Sequence, residues 1–184
     1  MGQDRSTPLS AEDWLCAALR ALAERGPAAV RAEALARDLK VTKGSFYWHF
    51  ADMQDFRTRL LTFWHGLAYD RFLEAVATIP DPRERLRRLA HLAVTCGETH
   101  IGGPQMEPAM RGWALSDPAV AIEVAKVDDL RRAEIVRLGA ASGLSASAAV
   151  GFYAAMLGLG QQRDLSDIDR VAAVDALLDS LAGA

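Results

Sequence analysis

Apolar residues along this chain recur at intervals of three and four, and this spacing limits the possible folds more than any other feature. Trp14, Ala18 and Leu22 near the N-terminus are one example. Side chains at that spacing fall on one face of an α-helix. No run of β-branched residues alternates with period two, and the helix-forming residues Ala, Leu, Glu and Arg dominate. The pattern therefore predicts an all-α protein.

Capping residues and Gly or Pro pairs predict where the helices begin and end. Ser10 with Asp13 forms a capping box, Asp52 and Ser145 are further N-caps, and Gly26-Pro27 ends the first helix. The predicted helices cover about residues 10–26, 32–39, 42–50, 53–79, 82–100, 105–115, 117–139, 145–160 and 166–182.

The predicted helix lengths divide the chain at residue 52. Residues 1–52 hold three compact helices, and residues 53–184 hold a larger helical body that begins with a long connecting helix, 53–79. We interpret this arrangement as a reading domain attached to a sensor or dimerisation body.

Targeting signals, cysteines and charge leave a wide choice of function. The N-terminus MGQDRSTPLS has no apolar signal region and no run is long enough for a membrane span, which predicts a cytoplasmic protein. Cys16 and Cys96 lack a CxxC spacing, which favours reduced thiols. Residues 1–65 carry nine Lys/Arg against eight Asp/Glu, and residues 66–184 carry twelve against sixteen. The N-terminal part is thus the less acidic one, which permits but does not demonstrate a nucleic-acid interface.

The segment VTKGSFYWHF, residues 41–50, combines buried-type and interaction-type side chains on one short helix. Phe46 and Phe50 lie four residues apart and point to one side, whereas the polar and remaining aromatic residues spread over the other faces. Thr42 is placed to cap the helix, the N–H groups of its first turn suit a phosphate, and Gly44 permits close backbone approach. Two short helices joined by a turn form a helix-turn-helix, and the second one enters the major groove.

Each of these residues alone has a simpler interpretation. Tyr47 and Trp48 fit an aromatic core, and Lys43 fits an ordinary solvated cation. His49 as a catalytic base is a rival hypothesis, but no nucleophile or acid stands at a suitable spacing. Their combination on one capped helix favours the reading-helix interpretation, because a core helix does not need polar groups on its other faces.

The run LARDLKVTKGSFYWHF, preceded by SAEDWLCAALRALAERGPAAV, resembles the N-terminal domain of the tetracycline-repressor (TetR) family of transcriptional regulators over about residues 10–60. The resemblance implies a homodimer that binds DNA. It also implies that Lys43, Gly44 and Ser45 approach the base edges. It implies phosphate and sugar contacts for the rest of the predicted set, which comprises Thr42, Tyr47, Trp48 and His49, with Arg31 as an additional cation.

Three positions depart from the family pattern. Lys40 stands where the turn commonly has glycine, so that either a left-handed backbone costs about 1 kcal/mol or the turn takes another geometry. Glu33 stands where a basic residue is common, and it either repels phosphate or accepts from a cytosine amino group. Met53 replaces a lysine, which predicts a missing phosphate contact and leaves Arg31, Arg57 or Arg5 to compensate.

The family resemblance also implies a small-molecule pocket in the body and dimerisation through the last two helices, about 145–160 and 167–182. Small residues at Gly151, Ala154, Ala155 and Gly158 permit close helix packing, and Leu177, Leu178 and Leu181 form an apolar stripe; an internal hairpin explains the same pattern. The predicted ligand contacts are Trp64, Tyr69, Met106, Met110, Trp113, Phe152 and Met156, with Phe72 and Tyr153 as further candidates.

The sequence predicts no cofactor, no metal site and no enzyme activity, and it predicts a small-molecule effector of unknown identity. Cys96 and His100 lie four apart and resemble half of a metal site with His91 or His65, but a third ligand at defined spacing is missing. No phosphate-binding glycine loop or catalytic triad is recognisable. The sequence therefore favours a ligand-responsive repressor that binds a palindromic operator, and the alternative is a helical adaptor that binds protein instead of DNA.

Overall fold

The computed structural model describes residues 9–95, 101–162 and 164–182, and every regular element in those ranges is helical. The N-terminal helices are α1 Ala11–Arg25, α2 Ala32–Leu39 and α3 Lys43–Phe46. The body contains α4 Met53–His65, α5 Arg71–Glu74, α6 Pro82–Val94, α7 Met106–Ala114, α8 Pro118–Ala141, α9 Ala146–Gln161 and α10 Asp167–Ala182. The all-α prediction is confirmed.

The predicted caps account for most helix starts. Ser10 and Asp13 form the capping box, and the side chain of Asp52 accepts hydrogen bonds from Gln54 N and Asp55 N at 2.8 Å each. Side-chain caps also begin α6, α8, α9 and α10, at Asp81, Asp117, Ser145 and Ser166. Each cap satisfies backbone N–H groups that the first turn of a helix leaves without a partner.

Two of the predicted helices are shorter in the structure, and a third, 53–79, is interrupted. The helix 42–50 is regular only over Lys43–Phe46, because Tyr47 and His49 then donate to carbonyls three residues back and tighten the chain into turns. Thr42 occupies the N-cap position, but its side chain makes no capping hydrogen bond with the described residues. The helix predicted over 82–100 ends at Val94, and residues 96–100, including Cys96 and His100, lie outside the described residues.

The connecting helix 53–79 is not one regular α-helix. A π-helical segment, Gly66–Asp70, separates α4 from α5, and the Arg71 N–H donates to the carbonyl of Gly66 five residues earlier. Regular helix ends at Glu74, followed by turns. Such π segments interrupt the backbone ladder and are frequent at functional sites.

The buried apolar residues form two clusters that meet along α8. The first cluster contains residues of the four helices α1, α2, α3 and α4, of α7, and of the N-terminal half of α8. The α8 residues are Val120, Val124 and Val127. The second joins α6, the C-terminal half of α8, α9 and α10. The first core thus crosses residue 52, and the boundary predicted there stays a prediction. Within the described ranges, no helix has both the length and the apolar character that a membrane crossing requires.

Candidate nucleic-acid interface and effector cavity

The inward side of α3 is fixed by aromatic packing. The ring of Phe46 lies 5.4 Å from Trp14, 5.0 Å from Phe50 and 5.1 Å from Phe56, measured between centroids. All four residues are buried. Edge-to-face contacts of this kind add to the energy of burial itself. The two phenylalanines therefore fix the rotation of the segment and decide which side chains face outward.

The outward side of the segment carries the predicted DNA contacts. Trp48 is 88% exposed and Tyr47 is 49% exposed. Thr42, Lys43 and Gly44 are also exposed, whereas Ser45 and His49 are half-buried. Among the described residues, nothing forms a hydrogen bond with the Tyr47 hydroxyl or the Trp48 indole. We therefore call residues 42–49, with Arg31 and Glu33 of α2, the reading surface.

The turn between α2 and α3 takes a left-handed conformation at Lys40, with φ 59° and ψ 41°. The Val41 N–H donates to the Ala36 carbonyl at 2.9 Å, which closes the C-terminus of α2. Glycine is the usual residue at such a position because it has no Cβ penalty. Of the two geometries expected for the turn, the strained one is present.

Two of the charged side chains on the reading surface are paired with each other. Lys43 forms an ion pair with Glu33 across the two helices. The hydrogen bond between them raises the pKa of Lys43 and lowers the pKa of Glu33. Arg31 is exposed at the start of α2 and remains available for a phosphate.

Of the other two predicted compensating cations, Arg57 has partners in the body. Arg57 pairs with Asp117, the N-cap of α8, and its guanidinium lies 5.3 Å from the centre of the Trp113 ring. Arg5 lies outside the described residues. Met53 packs partly buried against the first core. The charge of Arg57 is therefore already matched within the body, which favours Arg31 among the described candidates for the missing phosphate contact.

A cavity of about 340 Å³ opens in the body between the π segment, α7, α8 and α9. Six of the aromatic and thioether candidates line it: Trp64, Tyr69, Phe72, Met106, Tyr153 and Met156. Met110, Trp113 and Phe152 do not line it; they pack inside the two cores away from the cavity. The lining is predominantly apolar, as small-molecule sites usually are.

Sequence reasoning missed the charged groups in the cavity wall. Arg131 donates from Nε and Nη2 to the carbonyl of Ala68 in the π segment, at 3.1 and 2.9 Å, and from Nη1 to Glu107 Oε1 at 3.1 Å. Burial alone would lower the pKa of Arg131, but the charge and hydrogen bond of Glu107, together with the nearby Tyr153 and Asp128, raise it above the ordinary value. Arg131 thereby links the cavity wall to the helix that continues into α4.

A second set of contacts surrounds this link. Arg111 donates to both oxygens of Asp128, at 2.9 and 2.7 Å, and to Glu107 at 2.7 Å; Tyr153 donates to Asp128 at 2.8 Å. Burial opposes the ionisation of Asp128, but the hydrogen bonds from Arg111 and Tyr153 hold its pKa below the usual range. Burial raises the pKa of the Tyr153 hydroxyl. Arg111, Arg131, Glu107, Asp128 and Tyr153 are called the charge network below.

The sequence contained a signal for the inward position of Arg131. On α8, Leu130 is exposed, whereas Ile135 is buried. Arg131 lies four residues from Val127 and four from Ile135, which are both buried. An arginine in the gap of a buried stripe requires an acidic or carbonyl partner.

The histidines considered as metal ligands have other partners. His65 Nδ1 lies 2.6 Å from Glu123 Oε1, and His91 Nε2 lies 2.8 Å from Asp175 Oδ1. In the part of the chain that the structure describes, no three metal-ligating side chains come together.

Comparison with known proteins relates the N-terminal part of the chain to a family of regulators. Residues 15–60 match the family described as bacterial regulatory proteins, tetR family. No curated protein matches the chain.

Similar folds occur among solved structures. A proposed transcriptional regulator from Saccharomonospora viridis, in complex with choline, is 23% identical with a TM-score of 0.77, over 92% of this chain and 95% of that one. A proposed TetR-family regulator from Rhodococcus sp. is 21% identical with a TM-score of 0.77, over 94% and 98%. A TetR-like regulator from Rhodococcus sp. RHA1 is 17% identical with a TM-score of 0.74, over 94% and 96%. Residues 15–60 thus resemble the DNA-binding domain of the tetR family, and the chain as a whole shares its fold with solved structures of TetR-like regulators.

Proposed function

We propose that this chain is a ligand-responsive repressor that binds a palindromic operator as a homodimer through residues 42–50. One observation carries the proposal: Phe46 and Phe50 fix the segment on an aromatic core while Lys43, Tyr47 and Trp48 stay exposed. Exposing a tryptophan to water without a partner has no advantage for folding. A DNA backbone and groove provide that partner.

Gly44 supports the same interface. A Cβ placed on Gly44 meets only the Thr42 hydroxyl oxygen, at an ordinary 3.7 Å, among the described residues. The packing of the protein therefore does not require glycine at this position. Close approach of a groove to the backbone does require a residue without a side chain.

An exposed small-residue face on α9 supports homodimerisation. Gly151, Ala154 and Gly158 lie on that face, and a Cβ at either glycine would meet no described atom within 4 Å. On α10 the predicted stripe turns inward, since Leu178 is buried in the second core, whereas Ile168 is exposed. We propose that the α9 face and the neighbouring face of α10 pack against a second copy, so that two reading helices address two half-sites.

A matched pair of glycine substitutions tests the dimer. Gly158→Leu adds a side chain that the protomer accommodates but that blocks close helix approach, so sedimentation should show a shift from dimer to monomer. Gly112→Leu is the control, because Gly112 is also helical with no described atom near its Cβ but lies on α7. If Gly158→Leu remains dimeric at the same concentration, the two copies do not meet on this face.

The cavity supports the effector part of the proposal. Trp64, Tyr69 and Phe72 supply aromatic surface. Glu107 and Glu134 supply carboxylates, which pair with arginines of the protein in this structure. Aromatic faces and carboxylates both suit a small organic cation. Because the similar S. viridis protein was solved with choline, choline is the first effector to test.

Arg131 provides a route from the cavity to the reading surface. Its guanidinium holds the π segment at the Ala68 carbonyl, and α4 continues from that segment to the residues beside α3. We propose that an effector which alters the contacts of Arg131 repositions α4 and changes the separation of the two reading helices. The effector must bind the two states with different affinity to have this effect.

The central test is fluorescence polarisation with DNA from upstream of the chain's own gene, at several salt concentrations and with or without choline. Salt-dependent binding that choline weakens supports the proposal. Salt-dependent binding without a choline response supports the DNA-binding regulator but rejects choline as its effector, and a wider effector screen is then required. No binding at low salt by a confirmed dimer contradicts the regulator and favours the protein-binding adaptor.

A substitution separates the effector response from DNA binding. Arg131→Lys keeps the charge but removes the Nε and Nη2 donors that hold the Ala68 carbonyl, so operator binding should persist while effector release weakens. Arg132→Lys, an exposed neighbour paired only with Asp129, is the control. An unchanged effector response in Arg131→Lys would rule out this route.

A further inference from the structure

An exposed ion pair lies within the reading surface. Glu33 of α2 pairs with Lys43, the first residue of α3, and their side chains remain 63% and 50% exposed. An ion pair this exposed to water contributes little to folding, because solvent screens both charges. Stability is therefore a weak reason for a carboxylate at a surface that approaches DNA.

The pairing solves an electrostatic difficulty. An isolated carboxylate beside phosphates is repelled, and it lowers affinity for every DNA sequence. Lys43 compensates the charge of Glu33, so the two side chains can enter a groove together with no net charge. Such a pair adds little to non-specific affinity for DNA. We therefore expect it to affect which base pair the protein prefers.

The two side chains present complementary chemistry side by side. The Lys43 ammonium only donates hydrogen bonds, and the Glu33 carboxylate only accepts them. In the major groove, a G·C pair presents two adjacent acceptors, guanine N7 and O6, followed by the N4 donor of cytosine. An A·T pair places its donor between two acceptors. One protein donor beside one protein acceptor, such as Lys43 and Glu33, therefore always leaves one of these three base groups unmatched.

We propose that Glu33 and Lys43 act as one base-reading pair that selects a G·C base pair in each half-site, with guanine facing Lys43 and cytosine facing Glu33. This inference rests on the proposed operator binding and adds the identity of one base pair. It also gives a role to a glutamate that would otherwise oppose DNA binding.

The test is selection of bound fragments from a randomised operator library with the full-length protein, comparing wild type, Glu33→Gln and Lys43→Ala. Glu33→Gln keeps the size of the side chain but removes its charge and adds a donor. Wild type should fix one G·C pair per half-site, and an A·T pair there should weaken binding about tenfold or more. Glu33→Gln should relax the preference at that position alone, and Lys43→Ala should remove it.

Glu84→Gln is the matched control. Glu84 is also an exposed glutamate in an ion pair, with Arg87, but it lies on α6 of the body. The Glu84→Gln variant should have the same base preferences as wild type. Thermal melting should show that all variants are folded.

Three results would overturn the inference. Glu33→Gln with uniformly tighter binding and an unchanged base preference would show that Glu33 only masks Lys43. If wild type selects an A·T base pair and Glu33→Gln relaxes that preference, the Glu33–Lys43 ion pair reads a base pair other than G·C. A wild-type library that shows no G·C position sensitive to either substitution would exclude base reading by these residues. Failure of wild type to bind any DNA is a different result, because it rejects the proposed function itself.

Discussion

The reading surface and the cavity wall use polar side chains in opposite ways. On the reading surface, Trp48 and Tyr47 are exposed and have no hydrogen-bond partner among the described residues. In the cavity wall, each charge of Arg111 and Arg131 is matched by Glu107 and Asp128. Exposed groups are solvated by water, whereas partly buried charges need partners within the protein.

This difference separates stability from recognition. Substitutions on the reading surface should change DNA binding with little effect on folding. Substitutions in the charge network should change folding first, because removal of one member leaves an uncompensated charge. The predictions below test that separation, beginning with the largest effect.

Asp128→Asn should destabilise the protein by about 2 kcal/mol, since it removes the carboxylate that accepts from Arg111 and Tyr153. Asp129→Asn is the control at the next position: its side chain is 69% exposed and pairs with Arg132, whereas that of Asp128 is 22% exposed. The control should change stability by less than about 0.5 kcal/mol. Urea unfolding of both variants measures the difference, and equal effects would contradict the contrast between matched and solvated charges.

The pH dependence of stability should also depend on Asp128. Its pKa in the folded protein lies below the ordinary value of 3.8, so its stabilising effect is complete above that value and is lost as pH falls below it. Wild type should therefore lose stability on acidification below about pH 4 more steeply than Asp128→Asn. Urea midpoints between pH 6 and 3 test this, and parallel curves would show that Asp128 does not contribute.

Tyr47→Phe should weaken operator binding by about 1 kcal/mol, or roughly fivefold, because it removes a hydroxyl that the free protein leaves unpaired. Stability should change by less than about 0.5 kcal/mol. Tyr69→Phe is the control, since it removes the same group from the cavity wall and should leave effector-free DNA binding unchanged. Polarisation titrations and thermal melting separate the two effects; normal binding by Tyr47→Phe would remove Tyr47 from the interface.

The same contrast explains what the sequence alone predicted. The reading helix was recognisable because Phe46 and Phe50 are neighbours on one segment, so that local spacing determines which side faces outward. The start of each capped helix was equally local, as at Asp52. By contrast, Arg131 meets the Ala68 carbonyl, a contact between residues 63 positions apart. The π segment and the inward position of Arg131 on α8 are tied to that tertiary contact. Helical periodicity does not reveal such a contact.

Lys40→Gly should stabilise the protein by about 0.5 kcal/mol and give the smallest effect. Lys40 is the non-glycine residue with positive φ in the described chain, and glycine adopts φ 59° without steric cost. The gain of about 1 kcal/mol from relieved strain is reduced by the greater freedom of glycine in the unfolded chain. Lys40→Ala is the control, because it removes the ammonium group but keeps the Cβ that causes the strain. Melting temperatures should rise for Lys40→Gly and not for Lys40→Ala; an equal rise would attribute the effect to lysine charge and leave the turn unstrained.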